Sequence, residues 1–299
     1  DFIDSQIAWK KSMKKDGIAA AYRSTRSSLA KFVGSKQVKM SQINQRFVTC
    51  YKDFLSCNGV SENTEAYYMR NFRTLYNLAV KDGFVPKCTY PFKDICTKPC
   101  KTVKRALDKE QMLRLTQSDL GANPELMQSR AFFLFGFYAQ GMAFVDIIFL
   151  RWKNICGNSI SYRRHKSKQT IQITITPQIQ AILDEYGINK ENVDGYIFPI
   201  IQPVINPQTD KNEYEQYRVA LGRTNRHLKT ISEKLGIAPS LTTYTARHTW
   251  ATLAREYGAP VATISTSLGH TKEEMTLVYL KELDRSNLKR INGLINSLL

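Results

Sequence analysis

Several residue types that particular protein classes depend on are scarce in this sequence. Only 4 of its 299 residues are His, and its 6 Cys form no C-x-x-C pair, so a zinc site built from spaced Cys and His is not expected. The longest aromatic-rich apolar run, residues 131–139, is much shorter than the ~20 residues of a membrane-spanning helix. We therefore expect no metal, no membrane partner and a cytoplasmic protein whose reduced thiols serve mostly as packing residues.

Acidic residues are also scarce, and this shortage gives the chain its most distinctive property. The sequence holds 26 Asp or Glu against 43 Lys or Arg, a formal net charge of +17 with a pI of about 9.6. Its 42% hydrophobic and 23% charged residues are ordinary for a globular chain, which excludes wholesale disorder. A folded chain with this net charge predicts a polyanionic partner. Its length is about twice the ~150 residues of one ordinary domain, which predicts two domains.

The positive charge is concentrated in the N-terminal third of the chain. Residues 1–105 contain 20 Lys or Arg and 8 Asp or Glu, a net charge of +12, which leaves +5 for the rest. Within this third, residues 96–106 combine basic residues and Pro with almost no periodic apolar residue. We predict an exposed basic linker there.

The segment before this linker is predicted to be a small helical domain over residues 1–95. Apolar residues at helical spacing follow Ser61, a potential helix N-cap, until Asp82. Similar segments cover residues 19–33 and 41–55.

Residues 107–299 are predicted to form a second domain that is mainly helical with one small β-structure. Asp108 and Gln111 have the spacing of a capping box, which opens a helix. Between residues 159 and 176, Ile and Tyr alternate at period 2 on either side of a basic turn, so a β-hairpin is expected. The predicted fold is α+β, mainly α with a small β-hairpin or sheet. Further helices are predicted over residues 124–140, 143–152, 213–235, 243–257, 261–267, 273–280 and 285–298.

The strongest functional signal lies in two short segments near the C-terminal end. Residues 241–252 read LTTYTARHTWAT, which places Tyr244 and Arg247 on one face of a helix. Some twenty residues later, His270 follows a Leu-Gly pair, and Tyr279 lies nine positions beyond it.

These segments resemble the tyrosine recombinases, the phage-integrase family of site-specific DNA recombinases. In that family an H-x-x-R-H motif, an L-G-H motif and a Tyr nine residues after the last His form the core of the active site. Arg247 with His248, the L-G-H ending at His270, and Tyr279 match in order and spacing. The family also keeps a catalytic Lys at a β-turn, where this chain has Lys166.

The resemblance covers residues 108–288 and implies both a fold and an activity. The helical N-terminal domain is similar to the family's SAM-like core-binding domain, and the two domains would form a C-shaped clamp on double-stranded DNA. The enzyme would cleave and rejoin DNA through a covalent 3′-phosphotyrosine, without metal, ATP or cofactor. It would act as a tetramer on its recombination sites, with accessory DNA-bending proteins as further partners. The helix over residues 285–298 would either dock on a neighbouring copy or pack within its own chain.

The residue types suit this chemistry. Attack on a phosphodiester builds negative charge on the non-bridging oxygens, which the planar guanidinium of Arg247 can bind. Lys166 suits protonation of the leaving 5′-oxygen, and Tyr279 would be the nucleophile. A phenol with a pKa near 10 is protonated at neutral pH, so His248 or His270 would assist it.

Two positions depart from the family pattern. Ala143 stands where the first catalytic Arg is expected and Tyr244 where the first His is expected, as in the branch of the family that conjugative transposons encode. The Tyr244 hydroxyl can donate to a phosphate or position another group. Arg130 and Arg151 are candidates to replace the missing cation, and we favour Arg130 because a charge in an apolar segment is costly unless it faces a cleft.

Basic residues in three places are predicted to contact the DNA backbone. They lie within the first 26 residues of the predicted helical domain, in the linker and at the hairpin tip: Lys10, Lys11, Lys14, Lys15, Arg23, Arg26, Lys98, Lys101, Lys104, Arg105, Arg164 and Lys168.

Several interpretations stay open at this point. The integrase of a mobile element is favoured over a DNA invertase or a dimer-resolution recombinase, and a further N-terminal arm-binding domain in the full gene would support it. A catalytically inactive DNA-binding descendant would explain Ala143 and Tyr244 as decay. A type IB topoisomerase shares the chemistry and needs no specific site. For Arg130, a buried salt bridge with Asp146 or Glu125 competes with a catalytic role.

Overall fold

The chain divides into two compact units, Asp1–Thr102 and Val103–Leu299. The computed structural model describes residues 1–86, 90–97, 100, 106–205, 211–238 and 240–280, with the backbone alone for residues 278–280. Four predicted linker contacts and the predicted C-terminal helix lie outside the described residues: Lys98, Lys101, Lys104, Arg105 and residues 285–298.

The first unit is helical, as predicted. Phe72 lies at its centre, with its ring 5.7 Å from that of Tyr51 and 5.2 Å from that of Phe92. All three rings are almost fully buried, and burying each one stabilises the unit by roughly 1.5–3 kcal/mol. The helices are α1 Phe2–Ser12, α2 Asp16–Val33, α3 Gln45–Cys57 and α4 Glu62–Lys81, with a 3₁₀ turn at Met40–Gln42.

The second unit is built around α6. Phe132 and Phe135 of α6 meet Phe198 edge-on at 5.2 and 5.4 Å between ring centroids. At Gly136 a Cβ atom would lie 3.8 Å from the Cβ of Ala246, so the end of α6 packs closely against α10. The helices are α5 Lys109–Gln117, α6 Pro124–Tyr138, α7 Phe144–Ile148, α8 Pro177–Tyr186, α9 Glu213–Lys234, α10 Thr243–Glu256, α11 Val261–Ser267 and α12 Glu274–Leu280.

The predicted β-hairpin belongs to a three-stranded antiparallel sheet in the second unit. Its strands, in order, are β1 Ile155–Cys156, β2 Ser159–Arg163 and β3 Thr170–Thr174. The alternating apolar residues of β2 and β3 are buried, so the period-2 pattern does mark the face on the core. The short β1 and helix α8 were not predicted.

The helix predicted over residues 143–152 is shorter than expected. It ends at Ile148 because the chain then turns to pair with a distant segment. The Leu150 carbonyl accepts a hydrogen bond of 2.9 Å from the Ile197 backbone, and Arg151 forms an isolated β-bridge with Tyr196. These long-range backbone hydrogen bonds replace the hydrogen bonds that would continue the helix. The spacing of apolar residues in 143–152 does not indicate them.

Two structural findings concern the predictions made about membrane-spanning helices and about the cysteines. No helix in this part of the chain is long and apolar enough to cross a membrane. The five described Cys are free and exposed, so their expected role as packing residues is wrong: Cys50, Cys57, Cys96, Cys100 and Cys156.

Candidate active site

Arg247 lies at the centre of a buried polar cluster in the second unit. It is on α10, which packs on α6 and α12, and only 2% of it is exposed. Its Nη1 donates to the Gly141 carbonyl at 2.7 Å, and its Nη2 donates to the Leu268 carbonyl at 2.5 Å. Its Nη2 also lies 3.1 Å from His270 Nε2. The guanidinium is therefore fixed by two backbone segments that are distant in sequence.

Gly141 is required for this close approach. Its φ is +75°, a conformation that side chains disfavour. A Cβ atom there would lie 3.2 Å from Arg247 Cγ and 3.0 Å from Leu268 Cδ2. The absence of a side chain lets the backbone before α7 contact the arginine directly.

His270 occupies the turn between α11 and α12, as the sequence predicts. Its backbone N–H donates to the Ser265 carbonyl at 2.9 Å, and its Nδ1 lies 2.7 Å from Thr276 Oγ1. Burial, followed by the charges of Arg247, Arg164 and Lys166, lowers the pKa of His270 to about 4. His270 is therefore neutral near pH 7, and the positive charge of the site comes from its arginines and lysine.

Arg164 is a second arginine at the same turn, and its position is a finding that the sequence did not predict. It begins the tip of the hairpin, where its backbone N–H donates to the Gln169 carbonyl at 2.8 Å. Its side chain is only 7% exposed and its Nη1 donates to the Gly269 carbonyl at 2.6 Å. Arg164 and Arg247 thus bind the consecutive carbonyls of Gly269 and Leu268.

Arg164 is charged, buried and incompletely paired. Its Nε is buried and has no hydrogen-bond partner among the described residues. Within the same part of the chain, it also forms no ion pair with a carboxylate. Two guanidiniums beside one turn repel each other, so this arrangement favours binding of an anion.

The hairpin tip is attached to α7 through Asp146 and His165. The buried Asp146 carboxylate accepts from the His165 backbone N–H at 2.8 Å and lies 3.2 Å from its Nδ1. The His165 ring also packs on that of Phe149, with centroids 4.7 Å apart. Lys166, the next residue, is exposed. The tip is therefore held at His165, and the neighbouring Arg164 and Lys166 lie close enough to His270 to lower its pKa.

Arg130 is not brought to this cluster. Its Nη1 donates to the Ser118 carbonyl at 2.5 Å and lies 3.3 Å from Ser118 Oγ. It sits six residues, or about 9 Å along the helix axis, before Gly136, the point where α6 packs on α10. Its polar partner is thus the loop after α5, a contact that the local sequence around Arg130 does not indicate.

The alternatives weighed for Arg130 and its neighbours also have other partners. Asp146 accepts from His165, and Glu125 lies 3.5 Å from His227 Nε2. Arg151 stacks over the ring of Tyr196, its Cζ 4.2 Å from the centroid.

The remaining predicted catalytic residues lie on α10 and α12. Tyr244 is about half exposed, and its ring meets that of His248 edge-on, with centroids 4.8 Å apart. These two residues are one helical turn apart and flank Arg247 in sequence. For Tyr279 the structure describes only its position on α12, a helix that packs on α10 and α11.

The predicted DNA contacts of the first unit lie on α1, α2 and their connection. Lys11, Lys14, Lys15 and Arg23 are exposed. Lys10 instead lies 3.8 Å above the Trp9 ring centroid, and Arg26 Nε is 2.7 Å from Asp4 Oδ1. At the hairpin, Lys168 is exposed, whereas Arg164 is buried.

Gly269 gives a first prediction, on stability. Its φ is +60°, and a Cβ atom would lie 2.7 Å from Ile171 Cδ1 and 3.0 Å from Arg164 Cδ. We expect Gly269→Ala to lower the free energy of unfolding by about 2–3 kcal/mol, through backbone strain and the clash with Ile171. Gly258, with a φ of +90° and no atom within 4 Å, is the matched control, and Gly258→Ala should cost only about 1 kcal/mol. Urea unfolding of both variants tests this prediction. Equal losses of unfolding free energy in the two variants would contradict a steric clash between a side chain at position 269 and Ile171.

Several solved structures share this fold at low sequence identity. A lambda integrase dimer bound to a COC′ core site has a TM-score of 0.67 at 14% identity, with 93% of each chain covered. The Tn1549 transposon integrase in complex with a circular intermediate DNA has a TM-score of 0.63 at 14% identity, covering 97% of this chain and 98% of that one. XerH site-specific recombinase bound to a palindromic difH substrate has a TM-score of 0.63 at 13% identity, covering 93% and 80%. The fold is therefore that of the integrase-type recombinases.

The sequence itself identifies the family. The model of the phage integrase SAM-like domain matches residues 1–98, and the model of the phage integrase family matches residues 105–285. No curated protein sequence matches the chain. The chain belongs to the phage integrase family, the tyrosine recombinases, and the resemblance and fold class inferred from the sequence are confirmed.

Proposed function

We propose that this chain is the site-specific recombinase of a mobile element, and that it cleaves and rejoins DNA through a phosphotyrosine on Tyr279. The observation that carries the proposal is the buried pair of guanidiniums beside the neutral His270, an arrangement suited to one phosphodiester. The proposed cations are arginine and lysine side chains. The described residues include no cluster of His, Cys, Asp or Glu that could hold a metal.

The proposed cleavage step uses a few groups of this unit. The Tyr279 oxygen attacks phosphorus, a P–O bond to Tyr279 forms, and the P–O bond to the 5′-oxygen breaks. The Tyr279 proton passes to the imidazole of His248, and Lys166 gives a proton to the leaving 5′-oxygen. Rejoining reverses these steps with a 5′-hydroxyl as the nucleophile, so the bond energy is kept without ATP.

Arg164 is proposed to supply the cation that is missing at Ala143. Ala143 is the N-cap residue of α7, and Asp146 of the same helix holds the hairpin tip through His165. Arg164 is adjacent to His165, so the tip brings a guanidinium to the neighbourhood from which the family's first Arg would act. A planar guanidinium binds phosphate oxygens through two N–H groups, and Arg164 keeps its Nε available for this.

The mobile-element assignment rests on the sequence and on one structural neighbour. Residues 244–250 have the Y-x-A-R-H-T-W form, and the Tn1549 transposon integrase shares the fold over nearly the whole of both chains. The basic first unit and linker would hold the duplex mostly through phosphates, and the active assembly would be a tetramer on two duplexes.

Covalent trapping tests the proposed function. The probe is fragmented, lightly nicked genomic DNA from the source of the gene, incubated with the full chain in EDTA and then denatured. We expect adducts that carry DNA on Tyr279 through a 3′-phosphate, recovered at a few defined sequences with free 5′-hydroxyl ends. Tight DNA binding without any adduct would favour an inactive DNA-binding descendant, and adducts at sites without a shared sequence would favour a topoisomerase.

A further inference from the structure

A continuous hydrogen-bond chain joins Arg247 to helix α12. Arg247 Nη2 lies 3.1 Å from His270 Nε2, and His270 Nδ1 lies 2.7 Å from Thr276 Oγ1. Each imidazole nitrogen therefore has a side-chain partner among the described residues.

The chemistry of these partners assigns the proton on His270. A guanidinium can only donate, so Nε2 must accept from Arg247. With its pKa at about 4 the imidazole is neutral near pH 7, and its single proton is on Nδ1. Nδ1 therefore donates, and Thr276 Oγ1 accepts.

Thr276 is well placed to fix both the imidazole and the helix. It is fully buried, and its backbone N–H donates to the Glu273 carbonyl at 2.8 Å in the first turn of α12. Tyr279 follows three residues, less than one helical turn, later on the same helix. A single side chain thus connects the turn that carries His270 to the helix that carries the proposed nucleophile.

We propose that Thr276 is a positioning residue that holds His270 in the Nδ1–H form and sets the position of α12 against Arg247. This inference rests on the proposed function for its catalytic meaning. Without the Thr276 oxygen, Nδ1–H would lose this acceptor, and the Nε2–H form would become competitive. That form presents an N–H to Arg247, and two donors repel, so the ring and the arginine would lose their relative position.

The tautomer of His270 tests the proposal without DNA or activity. In the full-length chain labelled with ¹⁵N-His, long-range ¹H–¹⁵N spectra distinguish the two neutral forms, and His270→Gln identifies the signals. We expect the Nδ1–H form in the unmutated chain and in Thr276→Ser, and a mixture or the Nε2–H form in Thr276→Val. The Nε2–H form in the unmutated chain, or an unchanged tautomer in Thr276→Val, would overturn the proposal.

Cleavage rates complete the test. Indirect groups that orient a functional imidazole typically contribute 10–100-fold, so we expect Thr276→Val to slow adduct formation by about that factor at equal DNA affinity. Thr276→Ser should retain most of the rate. The matched control is Thr266→Val on α11, which removes an exposed hydroxyl that donates to the Ala262 carbonyl. A Thr276→Val chain that cleaves like this control would refute the positioning role, whereas absence of adducts from the unmutated chain would refute only the proposed function.

Discussion

Tyr279→Phe is expected to abolish covalent adduct formation while DNA affinity stays within about twofold. Removing the oxygen that is proposed to form the phosphotyrosine bond removes the nucleophile, so the cleavage rate should fall by at least about 10⁴-fold. Binding is expected to persist because phosphate contacts from the basic unit and the arginines do not involve this hydroxyl. Adduct formation on the trapped sites and a DNA gel shift measure the two quantities.

The control for this prediction is another tyrosine of the same unit. Tyr257 is 78% exposed at the end of α10, and Tyr257→Phe should cleave at the unmutated rate. If the Tyr279→Phe chain still forms adducts, a different tyrosine is the nucleophile. Tyr244, half exposed one turn before Arg247, would then be mapped by mass spectrometry of the adduct.

Much of the fold could be predicted because local signals agree with the tertiary structure. The capping box at Asp108 forms as expected, with Asp108 Oδ1 accepting from the Gln111 backbone at 2.7 Å. The period-2 apolar pattern predicted a β-hairpin, and the alternating apolar residues do lie on its buried face. Helix α8 also had a local signal that was overlooked, because Thr176 caps it and Pro177 occupies its first position.

The site could be predicted only in part, because its geometry depends on contacts between distant residues. Arg247 and His270 were found through spacing, and their side chains do meet. Arg164 contacts Gly269 across 105 residues, and nothing in its local sequence distinguishes it from the exposed charges beside it. Arg130 was selected by a local argument, that a charge in an apolar segment must face a cleft. A backbone carbonyl at Ser118 is enough to satisfy it.

The second large effect is expected at Arg164. Arg164→Ala should reduce adduct formation by about 10²–10³-fold, the usual loss when one preorganised donor to the developing charge is removed. Arg164→Lys should recover little, because an ammonium cannot reproduce two-point binding. Arg163→Ala is the control: Arg163 is exposed, and its Nε donates to the Lys168 carbonyl at 2.9 Å on the same tip.

A second-site substitution separates a catalytic role of Arg164 from a structural one. If the hairpin tip supplies the guanidinium that the family carries on the chain at Ala143, then Ala143→Arg should restore roughly tenfold or more of the activity lost in Arg164→Ala. A variant that is inactive because the tip has collapsed would gain nothing from Ala143→Arg, and its thermal unfolding would reveal the collapse.

Arg130→Ala in the same assay should leave cleavage unchanged, because that guanidinium lies with Ser118 and not with Arg247. If cleavage depended instead on Arg130 and tolerated Arg164→Ala, the cation would reach the phosphate from α6 and not from the hairpin.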